Sequence, residues 1–320
     1  MINKQKNLTR KMHTVTGAFG YSGSYLARFL LERSLPVNTL TNSIQRNSSL
    51  QNKIEAFPLS FENRAELIQV LQSTKVLYNN YWVRFNHKSF SHEQAVQNTL
   101  TLIDAAKIAG VERFVHISIT NPSVESELEY FSGKARIEQH LIDSGLSFCI
   151  LRPAVLFGYN DILINNIAWV LRHFPVFAMF GDGNYRLQPI YVEDLAEMMI
   201  QKGAEDKNEV LNALGPETFT YKELVIKMAR AFKKRKLIFP CPPQVVYLIG
   251  KIFGIFLKDI PVTKPEIKGI MADLLYAPKT EPAIIGKTRL SEYIDRNSRT
   301  LGIRYASELD RRIDRKTGYE

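Results

Sequence analysis

Three glycines spaced three residues apart, Gly17, Gly20 and Gly23, follow a short β-like run near the start of the chain. An apolar helical pattern begins directly after them. A strand, a glycine turn and a helix in this order place the helix N-terminus beneath a phosphate group. Gly17 would permit the tight turn, Gly20 would let the backbone approach the phosphates, and Gly23 would let the helix pack closely on the strand. The stretch therefore predicts a nucleotide-binding turn, in which we include Phe19 and Tyr21.

The end of the second predicted strand, Val37–Thr41, bears on which nucleotide binds. Sites for NAD usually carry an Asp or Glu here, which accepts a hydrogen bond from the ribose 2′-OH. This chain instead has Asn42, with Arg46 close behind and no carboxylate between them. Because a nearby arginine accommodates a 2′-phosphate, we expect NADP as the cofactor, with NAD as the alternative. The other interpretation of Arg46 is that it simply points to solvent.

Strand-like and helix-like segments alternate up to about residue 157, and this predicts the fold class. Such alternation is typical of an α/β protein with a doubly wound parallel sheet of the Rossmann type. After Gly158 the pattern changes to a strongly apolar stretch and then to helical and proline-punctuated segments. The predicted nucleotide-binding domain is 1–157, with 187–213 returning to it, and the smaller, mainly helical C-terminal substrate region comprises 158–186 and 214–320.

Polar and aromatic side chains follow the fourth predicted strand, in the run Asn80, Tyr81 and Trp82. Ligands of open α/β sheets bind at the carboxyl ends of the strands. We therefore assign Asn80 to the cofactor site. The two aromatic residues either form a wall of the pocket or cover the core.

Tyr130 and Lys134 form a Tyr-x-x-x-Lys pair soon after Ser118, which follows the fifth predicted strand. The spacing places the phenol and the ammonium on one helical face. An ammonium beside a phenol favours the phenolate and lowers the tyrosine pKa, which would suit Tyr130 to general acid–base catalysis. A second such pair, Tyr247 and Lys251, has no strand before it, so position rather than the motif favours Tyr130.

Together these segments resemble the short-chain dehydrogenase/reductase superfamily, on its extended or atypical, epimerase/dehydratase-like branch. Residues 16–23 are similar to the cofactor fingerprint of that branch, residues 130–134 to its catalytic pair, and Leu151-Arg152-Pro153 to its strand beside the nicotinamide. The resemblance thus places Pro153 at the cofactor. Within the superfamily the chain is most similar to the atypical group that includes the Rossmann-type accessory subunit of respiratory complex I.

The resemblance implies hydride transfer with NAD(P). Tyr130 would exchange a proton with the substrate oxygen, and Lys134 would bind the ribose hydroxyls. The family commonly has paired serines after the fifth strand, the second of them catalytic, whereas this chain has Ser118-Ile119-Thr120. Either Ser118 or Thr120 takes the catalytic role, or the role is vacant.

A second departure concerns the substrate. The resemblance to sugar-nucleotide epimerases implies an Arg-x-x-Asn motif after the sixth strand. This chain has Val155 at the asparagine position. The apolar stretch 162–180 suggests a pocket for an apolar alcohol, ketone or quinone-like substrate, or else a core or dimer-interface helix that would permit a homodimer. The first hypothesis is therefore an NAD(P)-dependent oxidoreductase. The second is a non-catalytic NADP(H)-binding assembly or accessory protein of a membrane complex, and a nucleotide-sugar epimerase or dehydratase ranks third.

Composition limits the partners. The net charge of +10, from 42 Lys and Arg against 32 Asp and Glu, suits an anionic ligand or peripheral contact with an anionic membrane. The sequence lacks the basic stripe with interleaved aromatic residues that nucleic-acid binding requires, so we expect no nucleic-acid partner. Two cysteines, Cys149 and Cys241, suffice for neither a disulfide framework nor a zinc site, so we expect no metal and a reducing compartment.

The sequence pattern predicts neither a secretory signal nor a transmembrane segment. The first eleven residues lack the apolar core of a secretory signal and are interpreted as a flexible tail. The most apolar run, Val245 to Leu257, contains Lys251 and is too short to span a bilayer. We therefore expect a cytoplasmic protein, with membrane association as an option.

Overall fold

A computed structural model describes residues 11–233 and 235–318 of the chain. The predicted tail therefore lies outside the described residues except for Lys11. The first part of the chain alternates strands and helices, and β2 has the bounds that the sequence predicts. In chain order the elements are β1 (Met12–Thr16), α1 (Tyr21–Glu32), β2 (Val37–Thr41), β3 (Glu55–Pro58), α2 (Arg64–Leu71), β4 (Thr74–Asn79), α3 (His92–Ala109), β5 (Arg113–Ile117), α4 (Glu129–Asp143) and β6 (Phe148–Pro153).

The second part of the chain contains shorter strands among helices. Its elements are β7 (Leu156–Phe157), α5 (Leu163–His173), β8 (Val176–Phe180), β9 (Arg186–Leu187), β10 (Ile190–Tyr191), α6 (Val192–Gly203), β11 (Glu209–Leu214), β12 (Phe219–Thr220), α7 (Tyr221–Ala231), β13 (Leu237–Cys241), α8 (Pro243–Leu257), α9 (Lys264–Met271), β14 (Ala283–Ile285), α10 (Leu290–Arg296) and α11 (Glu308–Ile313).

The central sheet has eight strands in the order β3-β2-β1-β4-β5-β6-β11-β14, and every neighbouring pair in it is parallel. The chain reverses its direction of winding between β1 and β4. Open α/β sheets bind ligands in the crevice at this switch point, beyond the carboxyl ends of the strands. The order confirms the predicted doubly wound parallel sheet.

Apolar helix faces cover both sides of this sheet. On one side, α1 and α6 bury Leu26, Leu30 and Leu195 against the strands. On the other side, α2, α3 and α4 bury side chains such as Leu102 and Ile137. Burial on both faces explains why the central strands have almost no exposed side chains.

The C-terminal region packs around its own apolar core, which α5, α7, α9 and α10 share with the strand pair β8 and β13. One segment of this region belongs to the central sheet instead. Residues 283–285, which the sequence analysis placed in the substrate region, form β14 and pair with β11 at the edge of the central sheet. The three-residue strand is too short for its periodicity to reveal this.

Helix α8 exposes much of its apolar surface. Its side chains Leu248, Ile252, Ile255 and Phe256 are each at least half exposed, and the last two reach 76% and 79%. Apolar helical residues normally face a core, so this surface is unusual. Within the described ranges, the helices fall short of the length and apolar character needed to traverse a bilayer.

The glycine turn joins β1 to α1 with very close backbone packing. Gly17 has a φ of +70°, in the left-handed region that favours glycine, and its carbonyl oxygen accepts a 2.8 Å hydrogen bond from the Gly20 N–H. A Cβ atom on Gly23 would lie 2.3 Å from that same carbonyl oxygen. The helix can therefore start directly beneath the turn only because residue 23 has no side chain.

Substitution of Gly23 by alanine should disrupt this packing. The added methyl group must push the helix away from the Gly17 carbonyl, and such overpacking costs about 1–3 kcal/mol in the free energy of unfolding. Urea denaturation followed by circular dichroism measures this loss. Ser24→Ala, in the same helical turn, adds no atom and is the control; equal stability of the two variants would contradict the packing argument.

Candidate functional site

A cleft of about 1280 Å³ opens at the switch point and runs from the glycine turn to the C-terminal helices. It exceeds the ~300–1,000 Å³ of ordinary small-molecule pockets, as an extended ligand requires. Eight of the residues predicted to bind the cofactor lie on its wall: Gly17, Phe19, Gly20, Tyr21, Gly23, Asn42, Arg46 and Asn80.

The hydroxyl of Thr16 organises the nucleotide end of the cleft. Its Oγ1 accepts hydrogen bonds from the backbone N–H groups of Asn80 (2.8 Å) and Tyr81 (3.1 Å) and donates one to Asn79 Oδ1. These bonds fix the chain leaving β4 against the glycine turn. The turn that cradles the ligand and the loop beside it are therefore held in one geometry.

Two groups at this end are suited to an anionic or hydroxylated ligand. Helix α1 begins without a side-chain cap and without an acidic residue in its first turn, which favours anion binding by its backbone N–H groups. The Asn80 side-chain nitrogen is buried and makes no hydrogen bond with the described residues, whereas its oxygen accepts one from Ser22 Oγ at 3.5 Å. Both fit the pyrophosphate of a dinucleotide and its neighbouring ribose.

Arg46 is not oriented as the NADP prediction requires. Its side chain is only 2% exposed, and its Nη2 donates to the backbone carbonyls of Arg311 (2.9 Å) and Asp314 (3.0 Å). The same nitrogen also lies 3.3 Å from Ser43 Oγ. The guanidinium therefore holds a segment more than 260 residues away in sequence, which no local pattern could reveal.

Tyr130 lies on the wall of the cleft, edge-on to Trp82 at 5.5 Å and to His92 at 5.6 Å. Burial raises the pKa of its phenol above the ordinary value, and the Glu266 carboxylate adds to this effect. The expected lowering of the Tyr130 pKa by Lys134 is therefore not found. A tyrosine with a raised pKa keeps its proton at neutral pH.

Lys134 lies behind the wall rather than on it. It is 2% exposed, and its Nζ donates a 2.7 Å hydrogen bond to the carbonyl of Ile117. The ring of Trp82 stands over the ammonium, 4.4 Å from Nζ to the ring centroid. Burial lowers the pKa of Lys134 to about 7, although Glu138 opposes the shift.

The hydroxyls proposed for catalysis point away from the cleft. Ser118 Oγ is buried without a hydrogen-bond partner among the described residues, and Thr120 Oγ1 donates to the Leu274 carbonyl at 2.7 Å. The side chain between them, Ile119, is the one on the cleft wall. Alternation along the extended chain explains this, because successive side chains point to opposite sides.

The chain leaving β6 also presents apolar side chains. Pro153 is buried at the end of the strand, opposite Ala213 in the sheet. The next two residues, Ala154 and Val155, line the cleft instead. Val155 thus occupies the position of the asparagine in the epimerase motif. The valine side chain cannot form a hydrogen bond with a ligand at this part of the wall.

The far end of the cleft is less apolar than expected. Beside Ile119 and Ile270 it contains the ion pair of Arg84 with Glu266. A second pair, Arg312 with Glu308, lies next to it. Arg84 comes from the loop after β4, and the other three charges come from the C-terminal helices α9 and α11. The sequence analysis did not identify these pairs.

Asp161 is a further residue that the sequence analysis missed. It is 1% exposed and lines the cleft, and its Oδ1 accepts backbone hydrogen bonds from Ile164 and Asn165 at the start of α5. Burial raises its pKa to about 7 despite these bonds. Its role in capping α5 could have been predicted from its position directly before the apolar stretch that begins at residue 162.

The sheet order, the glycine turn and the cleft at the switch point define a dinucleotide-binding α/β protein of the Rossmann type. The chain belongs to the NAD dependent epimerase/dehydratase family, whose sequence model matches residues 13–213. The resemblance found in the sequence is thereby confirmed.

Relatives of the chain include subunits of mitochondrial NADH dehydrogenase and NADH-ubiquinone oxidoreductase. The chain is 25% identical to the mitochondrial NADH-ubiquinone oxidoreductase 40 kDa subunit of Neurospora crassa, over 95% of this chain and 84% of that protein. It is 24% identical to NADH dehydrogenase [ubiquinone] 1 alpha subcomplex subunit 9 of Arabidopsis thaliana, over 79% of this chain and 66% of the relative, just under two thirds of its length. The mouse protein of that name is 26% identical over 80% of this chain. All three are named as mitochondrial proteins, whereas the sequence alone suggested the cytoplasm.

Solved structures share the fold. UDP-glucose 4-epimerase from Brucella ovis, in complex with NAD, has a TM-score of 0.64 at 14% identity and covers 93% of this chain and 99% of its own. UDP-N-acetylglucosamine 4-epimerase from Bacillus cereus has a TM-score of 0.60 at 19% identity, over 72% of this chain and 85% of its own. At these identities the likeness concerns the fold alone.

The buried ammonium of Lys134 predicts a pH-dependent stability. Its pKa in the folded protein is lowered to about 7, below the value of 10.5 for an exposed lysine, so between these pH values the unfolded chain binds more protons. Stability from this group therefore rises with pH across that window and is level outside it. The free energy of unfolding of Lys134→Met, minus that of the wild type, should therefore be more positive at pH 7 than at pH 10. Denaturant unfolding of both proteins at both pH values measures this difference. Lys107→Met, at an exposed site on α3, should show no such change; a pH-independent difference for Lys134→Met would contradict the assignment.

Proposed function

We propose that this protein binds NADP(H) in the cleft without catalysing a redox reaction, and that it serves as an accessory or assembly protein of a membrane complex. The observation that carries the proposal is the position of Ile119. The family commonly places a catalytic hydroxyl after the fifth strand, and here the side chain facing the cleft at that point cannot donate a hydrogen bond.

Two further features weaken catalysis at the same place. The raised pKa of Tyr130 makes its phenol a poor proton donor and acceptor near neutral pH, since efficient catalysis needs a pKa near the working pH. The ammonium of Lys134 is bonded to a backbone carbonyl and covered by Trp82. It is therefore held away from the ribose position that the family's lysine serves.

The nucleotide end of the cleft retains the groups needed for binding. The N-terminus of α1 would hold the pyrophosphate, and the Asn80 side-chain nitrogen would donate to a phosphate or ribose oxygen. A bound nicotinamide supplies hydride transfer, but the residues around it here supply no matching proton transfer. Binding would instead stabilise the fold, by about 2.7 kcal/mol at a ligand concentration of one hundred times Kd.

The relatives and the surface of α8 support a role at a membrane. The respiratory-subunit relatives motivate the membrane-complex part of the proposal. Helix α8 exposes Ile255 and Phe256, contains no acidic residue, and is followed directly by Lys258. A helix with exposed apolar residues and nearby positive charge suits the surface of an anionic bilayer. We propose that α8 contacts the surface of an anionic bilayer.

An NAD(P)-dependent oxidoreductase is the second candidate. It is favoured by the position of Tyr130 on the cleft wall, one helical turn before Lys134 in α4. An apolar alcohol, ketone or quinone would be its substrate. The nucleotide-sugar epimerase remains third, because Val155 replaces the polar side chain expected at that part of the wall.

Nucleotide extraction and turnover measurements separate these candidates. We expect the purified protein to contain or bind NADP(H). Tyr130→Phe should bind it nearly as well, because the substitution removes one oxygen and keeps the ring that packs on Trp82 and His92. Neither the wild type nor Tyr130→Phe should oxidise NADPH when quinones and ketones are offered as substrates. Turnover by the wild type that disappears in Tyr130→Phe would overturn the non-catalytic proposal and establish the oxidoreductase.

Vesicle flotation tests the role of α8. The double variant Ile255→Ser/Phe256→Ser should lose most of the association with vesicles that contain anionic phospholipid, since each side chain contributes about 1.5–3 kcal/mol when it moves from water to an apolar phase. Its NADPH affinity should be unchanged. The matched control, Ile108→Ser/Ile303→Ser, removes two side chains that are 60% and 54% exposed on other surfaces. Unchanged flotation of the α8 variant, or concentration-dependent dimers lost in it, would show that the helix contacts something other than lipid.

A further inference from the structure

The C-terminal segment lies across the nucleotide end of the cleft. We call residues 308–317, which comprise α11 and the chain directly after it, the C-terminal strap. The backbone carbonyl of Lys316 accepts a 2.7 Å hydrogen bond from the Asn47 N–H, and Arg46 holds two further strap carbonyls. The strap is thus attached to the loop that follows β2, where the adenosine end of a dinucleotide lies in this fold.

The other end of the strap is attached as well. The Asp259 carboxylate accepts hydrogen bonds from the backbone N–H groups of Glu308 (3.3 Å) and Leu309 (3.0 Å). Arg312 donates to the carbonyl of Trp82 at 3.0 Å. Contacts at both ends fix the strap across the cleft, so its side chains form part of the binding wall.

Two strap guanidinium groups lie at the nucleotide end of the cleft. Arg315 Nη1 is 3.4 Å from the carbonyl oxygen of Asn42, the residue immediately after β2. The Arg311 guanidinium is 5.8 Å from the ring centroid of Tyr21, the first residue of α1. Both arginines line the cleft. The strap therefore adds positive charge at the ribose end and at the pyrophosphate end.

We infer that Arg315 on the C-terminal strap binds the 2′-phosphate of NADP(H), and that Arg46 is a positioning residue that holds the strap in place. The inference rests on the proposed cofactor. It assigns nucleotide selectivity to a residue about thirty positions after β14, the last strand of the central sheet along the chain.

The environments of the two arginines support this division. Arg46 is buried and its Nη2 donates to strap carbonyls, so turning it to a phosphate would release the strap. Arg315 is exposed and has one long hydrogen bond to a neutral carbonyl. It could exchange that bond for a charge-assisted pair with a phosphate, which is roughly twice as strong.

The Asp314 carboxylate, next to Arg315 in sequence, is bound by the backbone of the strap itself. Asp314 Oδ1 accepts the backbone N–H groups of Lys316 and Thr317 at 2.8 and 3.0 Å. Its side chain is not among those that line the cleft. The charges that the strap presents at the end of β2 are therefore positive.

Isothermal titration of the full chain with NADPH and NADH tests the inference. Arg315→Ala should weaken NADPH binding by about 10–100-fold, the effect of losing a hydrogen bond to a charged group, and leave NADH binding within about twofold. Arg315→Lys should recover part of the loss, because it restores the charge without the bidentate geometry. Arg299→Ala, an exposed arginine outside the cleft, should change neither affinity.

Hydrogen exchange gives a readout for Arg46 that is independent of affinity. Arg46→Ala should speed amide exchange in residues 308–317 without ligand, whereas Arg315→Ala should not. An NADPH preference that persists in Arg315→Ala while disappearing in Arg46→Ala would overturn the inference and leave the proposed function standing. A wild-type protein that binds neither dinucleotide would overturn the proposed function itself, and the inference with it.

Discussion

The site depends on the contact between helix α1 and the carbonyl of Gly17. Because Gly23 has no side chain, the helix starts immediately under the turn, and its uncapped N-terminus opens into the cleft. Thr16 then ties the loop after β4 to the same turn through two backbone hydrogen bonds. A phosphate-binding geometry thus follows from one close backbone approach and one buried hydroxyl, without any charged side chain.

At the same sheet edge, three of the four side chains predicted for catalysis, Ser118, Thr120 and Lys134, do not line the cleft. Side-chain alternation turns Ser118 and Thr120 into the protein and Ile119 into the cleft, and Trp82 covers Lys134. The Tyr-x-x-x-Lys motif is intact in sequence, yet its lysine serves the backbone of β5. Under the proposed function, binding and catalysis in this fold have separable structural requirements, and the described cleft wall fits the first better than the second.

The C-terminal region contributes more to the cleft than a separate substrate domain would. Helix α9 brings Glu266, the partner of Arg84, to the far end of the cleft, and the C-terminal strap brings the Glu308–Arg312 pair there. The strap also brings two arginines to the nucleotide end, and β14 extends the central sheet. Ligand binding should therefore affect both parts of the chain, which suits a protein whose bound nucleotide stabilises a surface for a partner.

The sequence by itself determined the parallel sheet, the glycine turn and the family, because these depend on local periodicity and on residues only a few positions apart. It also located Asn80 and Tyr130 on the cleft wall. It could not determine what Arg46 binds, because its acceptors are backbone carbonyls of the strap, nor which of residues 118–120 faces the ligand. The first outcome depends on packing between residues far apart in sequence. The second depends on which side of the extended chain each side chain points to after the strand ends, and only the tertiary structure decided both.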